Sequence, residues 1–231
     1  MNAESRRKIE MGTRALKFCV AHPDTEPGTA AVVGKLEGLI ARANEQATAQ
    51  RDGFIQVRAA SARKEELRRA MLEVPIAHLA DVGEVAAREE HELDKVFRFR
   101  PGASTFLAFR AAARGMASVA ETHREVLAKH GLSASVLEEF GRMLDQFDAA
   151  VALWNDGRTA HLGATQELER VAQEIVRTVR VMDGRNRQRF AQDAQLLGAW
   201  LGASRVFSGR RAGTEAGAEP EGEDGEARPA A

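Results

Sequence analysis

Residues 137–182 read LEEFGRMLDQFDAAVALWNDGRTAHLGATQELERVAQEIVRTVRVM. Positions spaced seven apart form two columns. One is Leu137, Leu144, Val151, Arg158, Thr165, Ala172 and Val179; the other is Phe140, Phe147, Trp154, His161, Leu168, Ile175 and Met182. Apolar residues on a heptad mark a long helix packed along a partner of similar length. At ~1.5 Å per residue the run spans roughly 70 Å. Ser135 and Glu138 have capping-box spacing ahead of it. Asp183-Gly184 is its expected stop.

Working outward, a partner of that length lies earlier in the chain. From about Thr29 a second stripe reads Leu36, Ile40, Ala43, Ala47, Gln50, Phe54, Val57, then Ala60, Lys64, Leu67, Met71 and Val74. Pro75 is expected to end or kink it, because proline disfavours helical geometry in the residue before it. Shorter helices are predicted at Ala3–Val20, from Ile76 through Leu93 to Phe97, from a Ser104 cap through Phe106 and Phe109 to a stop at Gly131, and from Asn186 to Phe207. Residues 98–103 read as a loop. The stretch from Gly209 to Ala231 holds Gly, Ala, Glu and Pro with no large apolar residue, and is expected to be a disordered acidic tail.

Composition agrees with helices. Ala and long straight-chain residues dominate, aromatics are 5 %, and Tyr is absent. The expected fold is therefore all-α: an elongated antiparallel bundle of about six helices, two of them long, with coiled-coil-like packing. Residues 1–208 form the bundle domain and 209–231 the tail. Asp52-Gly53 and Asp156-Gly157 fall mid-way along the two long helices, each followed by small residues. This echo fits coincidence in an alanine-rich chain better than duplication.

Three stretches, Gly157-Arg158-Thr159-Ala160-His161-Leu162-Gly163-Ala164-Thr165, Asp183-Gly184-Arg185-Asn186-Arg187 and Leu196-Leu197-Gly198-Ala199-Trp200, together resemble an uncharacterised family of all-helical bacterial proteins. The resemblance covers the C-terminal half and implies no activity.

Charge and motifs exclude more than they assign. Thirty-three Lys and Arg face 34 Asp and Glu, so no global field draws nucleic acid or anionic membrane. Cys19 is the sole cysteine, which forbids an internal disulfide and suits a reducing cytoplasm. The charged N-terminal segment predicts no signal peptide, and no run approaches a membrane span. No histidine among His22, His78, His91, His123, His130 and His161 follows a Glu by three residues, and no paired-Cys or His-Glu-x-x-His motif exists. No metal, cofactor or catalytic residue is expected.

Two constellations stand out. Arg158, His161 and Thr165 take heptad positions where Leu or Ile belongs. They are a register-fixing polar layer, a ligand-lining layer, or residues that Gly157 turns to solvent; a register layer is the expectation. Arg177, Arg180, Arg185, Arg187 and Arg189 form a candidate basic patch. Arg63, Lys64, Arg68 and Arg69 form another, diluted by Glu65 and Glu66. The expected function is a non-enzymatic structural or protein-interaction bundle, including self-association. The alternative is a nucleic-acid-associated helical protein that uses the Arg clusters.

Overall fold

The computed structural model describes residues 1–98 and 105–207. Among them the chain forms helices and no strands. The elements are α1 (Ala3–Ala21), α2 (Pro27–Met71), a π-helical turn (Leu72–Ile76), α3 (Ala77–Ala86), a 3-10 turn (His91–Leu93), α4 (Phe106–Thr122), α5 (Arg124–Lys129), α6 (Ala134–Arg189) and α7 (Ala194–Ser204). Phe99, the loop through Ala103, the Ser104 cap and the 209–231 tail lie outside the described residues.

The spine is the pair α2 and α6. Cross-links between them fall in opposite order along the chain: Lys35 to Glu174, Arg42 to Glu167, Gln50 to Thr165, Arg63 to Gln146. The pair is therefore antiparallel. With 56 residues, α6 is roughly 84 Å long.

Several expected boundaries move. Pro75 does not end the second helix. It sits buried in the π turn, and the helical run continues from Pro27 to Ala86. A proline lacks the N–H for an α-helical bond and crowds the carbonyl one turn back; a wider turn accommodates both. The expected third helix stops at Ala86. Leu93 and Phe97 reach the core from the 3-10 turn and the turn after it, Phe97 against Gly83, where a Cβ would collide with its ring. The cap of α4 is Thr105, whose hydroxyl accepts from the Ala108 N–H. That helix breaks at His123, and Gly131 closes α5 at φ 102° as expected.

The start of α6 is Ser133, with no side-chain cap, so the Ser135–Glu138 capping box is absent. Asp183-Gly184 does not stop α6, which runs on to Arg189. The Asp183 carboxylate accepts from Trp200 Nε1 at 2.8 Å and Arg187 Nε at 2.7 Å, contacts that suit a helical residue. The last helix accordingly starts late, at Ala194. Asp193 caps it by accepting from the N–H groups of Gln195 and Leu196.

Short helices cover the two ends of the spine but not its middle. At one end α1 and α7 close a core of Met11, Leu36, Leu168, Val171, Ile175 and Trp200. At the other, α3, α4 and α5 close a core of Met71, Leu79, Phe109, Leu127, Phe140 and Phe147. Between them lies a waist of α2 and α6. There the buried positions are small or polar: Gln50, Gly53, Ala60 and Lys64 on α2; Ala150, Gly157 and Ala164 on α6. Large apolar residues at the waist point outward. Phe54, Ile55, Leu153 and Leu162 are each about half exposed. Phe54 thus leaves the stripe the sequence placed it in. Phe109 and Trp200 are fully buried, but the helices that cap the ends also expose apolar side chains, Leu107 on α4 and Val20 on α1.

Candidate functional site at the helix crossing

The waist is where the polar layer was expected, and its geometry starts from glycine. A Cβ on Gly53 would stand 2.8 Å from the Gly157 carbonyl oxygen and 2.9 Å from the His161 nitrogen. A Cβ on Gly157 would meet the Gln56 Cβ and the Gly53 oxygen at 3.1 Å. The two helices therefore touch backbone to backbone here. At the waist the seam follows Ala150, Gly157 and Ala164, one residue before the expected Val151, Arg158 and Thr165, whereas further along Ala172 and Val179 of the expected column are buried together with Val171 and Thr178. Small side chains win the seam because they let the axes approach, and their neighbours move to the flank.

This shift divides the expected layer. Arg158 is exposed on the flank, with its guanidinium 5.2 Å from the centre of the Trp154 ring. It is not a buried layer residue. His161 and Thr165 are half-buried and do meet α2. The His161 Nδ1 lies 2.9 Å from the Gln50 carbonyl oxygen. The Gln50 side-chain amide donates to Thr165 Oγ1 at 2.6 Å, and that hydroxyl donates to the His161 carbonyl at 2.7 Å. The α-amino group of Met1 donates to Gln50 Oε1. The layer is thus Gln50, His161 and Thr165, a closed set of hydrogen bonds across the helix pair.

Sequence reading missed two members of this region. Gln50 sat in the stripe as an ordinary position, although a glutamine among apolar neighbours was the available signal. Lys64 stands both in the stripe and in a basic cluster, and the structure sides with the stripe: only 5 % of it is exposed. Its ammonium lies 4.5 Å from the Trp154 ring centre and 4.6 Å from that of Phe106. Aromatic faces stabilise a cation electrostatically. Burial pushes the Lys64 amine below its ordinary value. The rest of that cluster disperses: Arg63 pairs with Glu66 and Gln146, and Arg68 lies over Phe106 and Phe109.

The second basic patch also divides. Arg185 pairs with Asp24 at 3.1 Å and Glu26 at 3.6 Å. Arg189 donates to the carbonyls of His22 and Pro23 and lies over Phe190. Together they clamp the α1–α2 turn onto α6. The Arg185 guanidinium, helped by the Glu26 N–H, holds the Asp24 carboxyl down to about 2. Arg187 pairs with Asp183. Arg177 and Arg180 remain exposed. Cys19 is buried beside Asn186, and burial pushes its thiol up. Among the described residues no group of three or more His, Cys, Asp or Glu side chains could hold a metal ion, and no helix is long and apolar enough to cross a membrane.

Fold and waist together define an all-α bundle built on one long antiparallel helix pair. No family model matches the chain, and neither the curated proteins nor the solved structures give a match.

Proposed function

We propose that this chain is a non-enzymatic interaction protein that works through its long helix pair, with self-association at the waist. One observation carries the reading. Between the Met1 contact at Gln50 and the Phe106 contact at Lys64, the waist is a two-helix segment whose buried seam is small, while Phe54, Ile55, Leu153 and Leu162 are about half exposed. A two-helix ribbon of this kind buries little apolar surface by itself, and exposed apolar patches on a folded chain mark contact surfaces. A groove of Ala59, Ala60, Ala149 and Ala150 beside Leu153 offers a helix from another copy a close approach. The buried thiol and the lack of a second cysteine suit a reducing cytoplasm.

The test is the molar mass of the full chain by light scattering during size-exclusion chromatography, for the parent and for Ile55→Glu combined with Leu153→Glu. A dimer or larger assembly that becomes monomeric in the variant, with unchanged melting temperature, supports the proposal. A parent that stays monomeric at high micromolar concentration overturns self-association. The nucleic-acid alternative ranks lower, because Arg185, Arg187 and Arg189 are engaged within the chain.

A further inference from the structure

Two arginines of the expected basic patch face a different feature. Where α6, α7 and α1 meet, the chain leaving α7 passes beside α6 and leaves an open cavity of about 620 Å³. Apolar side chains make its floor: Met11 from α1, Val176 and Val179 from α6, Leu201 from α7, and Phe207 beyond it. Its rim is cationic, formed by Arg180, Arg187 and Arg205. Asp183 is the acidic residue lining it, and that carboxylate already accepts from Trp200 and Arg187. A fourth guanidinium stands behind the wall. Arg14 lies 4.6 Å from the Phe207 ring centre and donates to the Arg205 carbonyl, while its Nε is buried with no hydrogen-bond partner.

Apolar area beside a few convergent polar groups is what a small-molecule site requires. The sign of those groups selects the ligand. Four cations and one engaged carboxylate leave net positive charge at the edge of an apolar space. A neutral ligand would desolvate guanidinium groups without pairing them. A nucleic-acid backbone would match the cations but gain nothing from the apolar floor. We propose that this cavity binds one amphipathic anion: a carboxylate or phosphate head toward Arg180 and Arg205, and an apolar chain across Met11, Val179 and Leu201. The inference is independent of self-association at the waist, which lies on a different part of the spine. A free amphiphile and a lipid in a bilayer share this chemistry; the volume, bounded by three helices, suits the free molecule.

Calorimetric titration of the full chain with sodium octanoate, below micelle-forming concentrations, tests it. Octanol and acetate supply the chain and the head separately. We expect octanoate to saturate at one per chain, octanol to bind at least about tenfold more weakly and acetate not at all, as for loss of a charge-assisted contact or of the apolar burial. Arg180→Gln with Arg205→Gln should weaken octanoate by about tenfold or more and leave octanol unchanged. Gly202 lines the cavity, and a Cβ there meets nothing within 4 Å. Gly202→Leu should therefore abolish octanoate binding at an unchanged melting temperature. Absence of saturation, equal affinity for octanol, or full binding by a folded Gly202→Leu chain would overturn the proposal. So would flotation with phosphatidylglycerol vesicles in the absence of octanoate binding, which would assign the cations to a membrane surface instead. If Gly202→Leu fails to fold, the double arginine variant decides.

Discussion

Gly53 and Gly157 meet at the centre of the helix pair so closely that a Cβ on Gly53 would lie 2.8 Å from the Gly157 carbonyl oxygen. These two residues, 104 positions apart, set the spacing of the waist. The Gln50–Thr165 bond crosses the same helix pair beside them.

The first prediction follows from the sign of a glycine substitution. In an open helix, Gly→Ala stabilises by about 0.5–1 kcal/mol, because alanine loses less backbone freedom. Gly34, Gly38 and Gly163 have nothing within 4 Å of an added Cβ and should show that gain. Gly53→Ala should instead destabilise by about 1–3 kcal/mol, since backbone must move to admit the methyl group. Chemical denaturation of the four single variants checks this. A stabilised Gly53→Ala would mean that the helices are further apart than described.

A second prediction separates the members of the expected polar layer. Gln50 and Thr165 share a hydrogen bond across the pair, so a double-mutant cycle to Ala should give a coupling of about 0.5–1.5 kcal/mol. Arg158→Leu should change stability by less than about 0.5 kcal/mol, as for an exposed residue, while enlarging the waist's apolar surface and raising its tendency to associate. A large loss of stability in Arg158→Leu would return that residue to the layer.

Acid should also weaken the hold of Arg185 on the α1–α2 turn. The Asp24 carboxyl sits at about 2, below its ordinary value, owing first to the bond from Arg185. A depressed carboxylate adds stability that is complete above its unfolded value of roughly 4 and is lost as pH falls through the folded one. The gap in melting temperature between the parent and Asp24→Asn should thus be full at pH 6, narrow below about pH 4, and close near pH 2. A gap that does not change between pH 6 and pH 2 would rule out a charged Asp24 as its source.

Nucleic-acid binding has its own signature. If the arginine cluster contacted phosphates, affinity would fall steeply with salt. With Arg185, Arg187 and Arg189 paired internally, fluorescence anisotropy with duplex DNA or RNA should show no saturable binding at about 0.15 M salt, near-physiological ionic strength. Submicromolar binding that weakens with salt and with Arg177→Gln plus Arg180→Gln would reverse the ranking of the two functional readings.

The sequence alone determined the helical class, the two long helices and their antiparallel pairing, because a heptad over 46 residues needs an equally long apolar partner, and Pro, Gly and the helix-favouring composition leave few other arrangements. It also carried the helix crossing, as the Asp52-Gly53 and Asp156-Gly157 echo, but without a reason to pair the two. Tertiary structure decided the rest. Whether Pro75 ends a helix depends on the core that holds the π turn in place, and whether Asp183-Gly184 does depends on Trp200 and Arg187 supplying partners to Asp183. Which of two adjacent columns forms the seam was undecidable from periodicity, since Gly157 and Arg158 differ by one position on the helix surface. The choice came from how near a second backbone could come, which no single stretch of sequence contains.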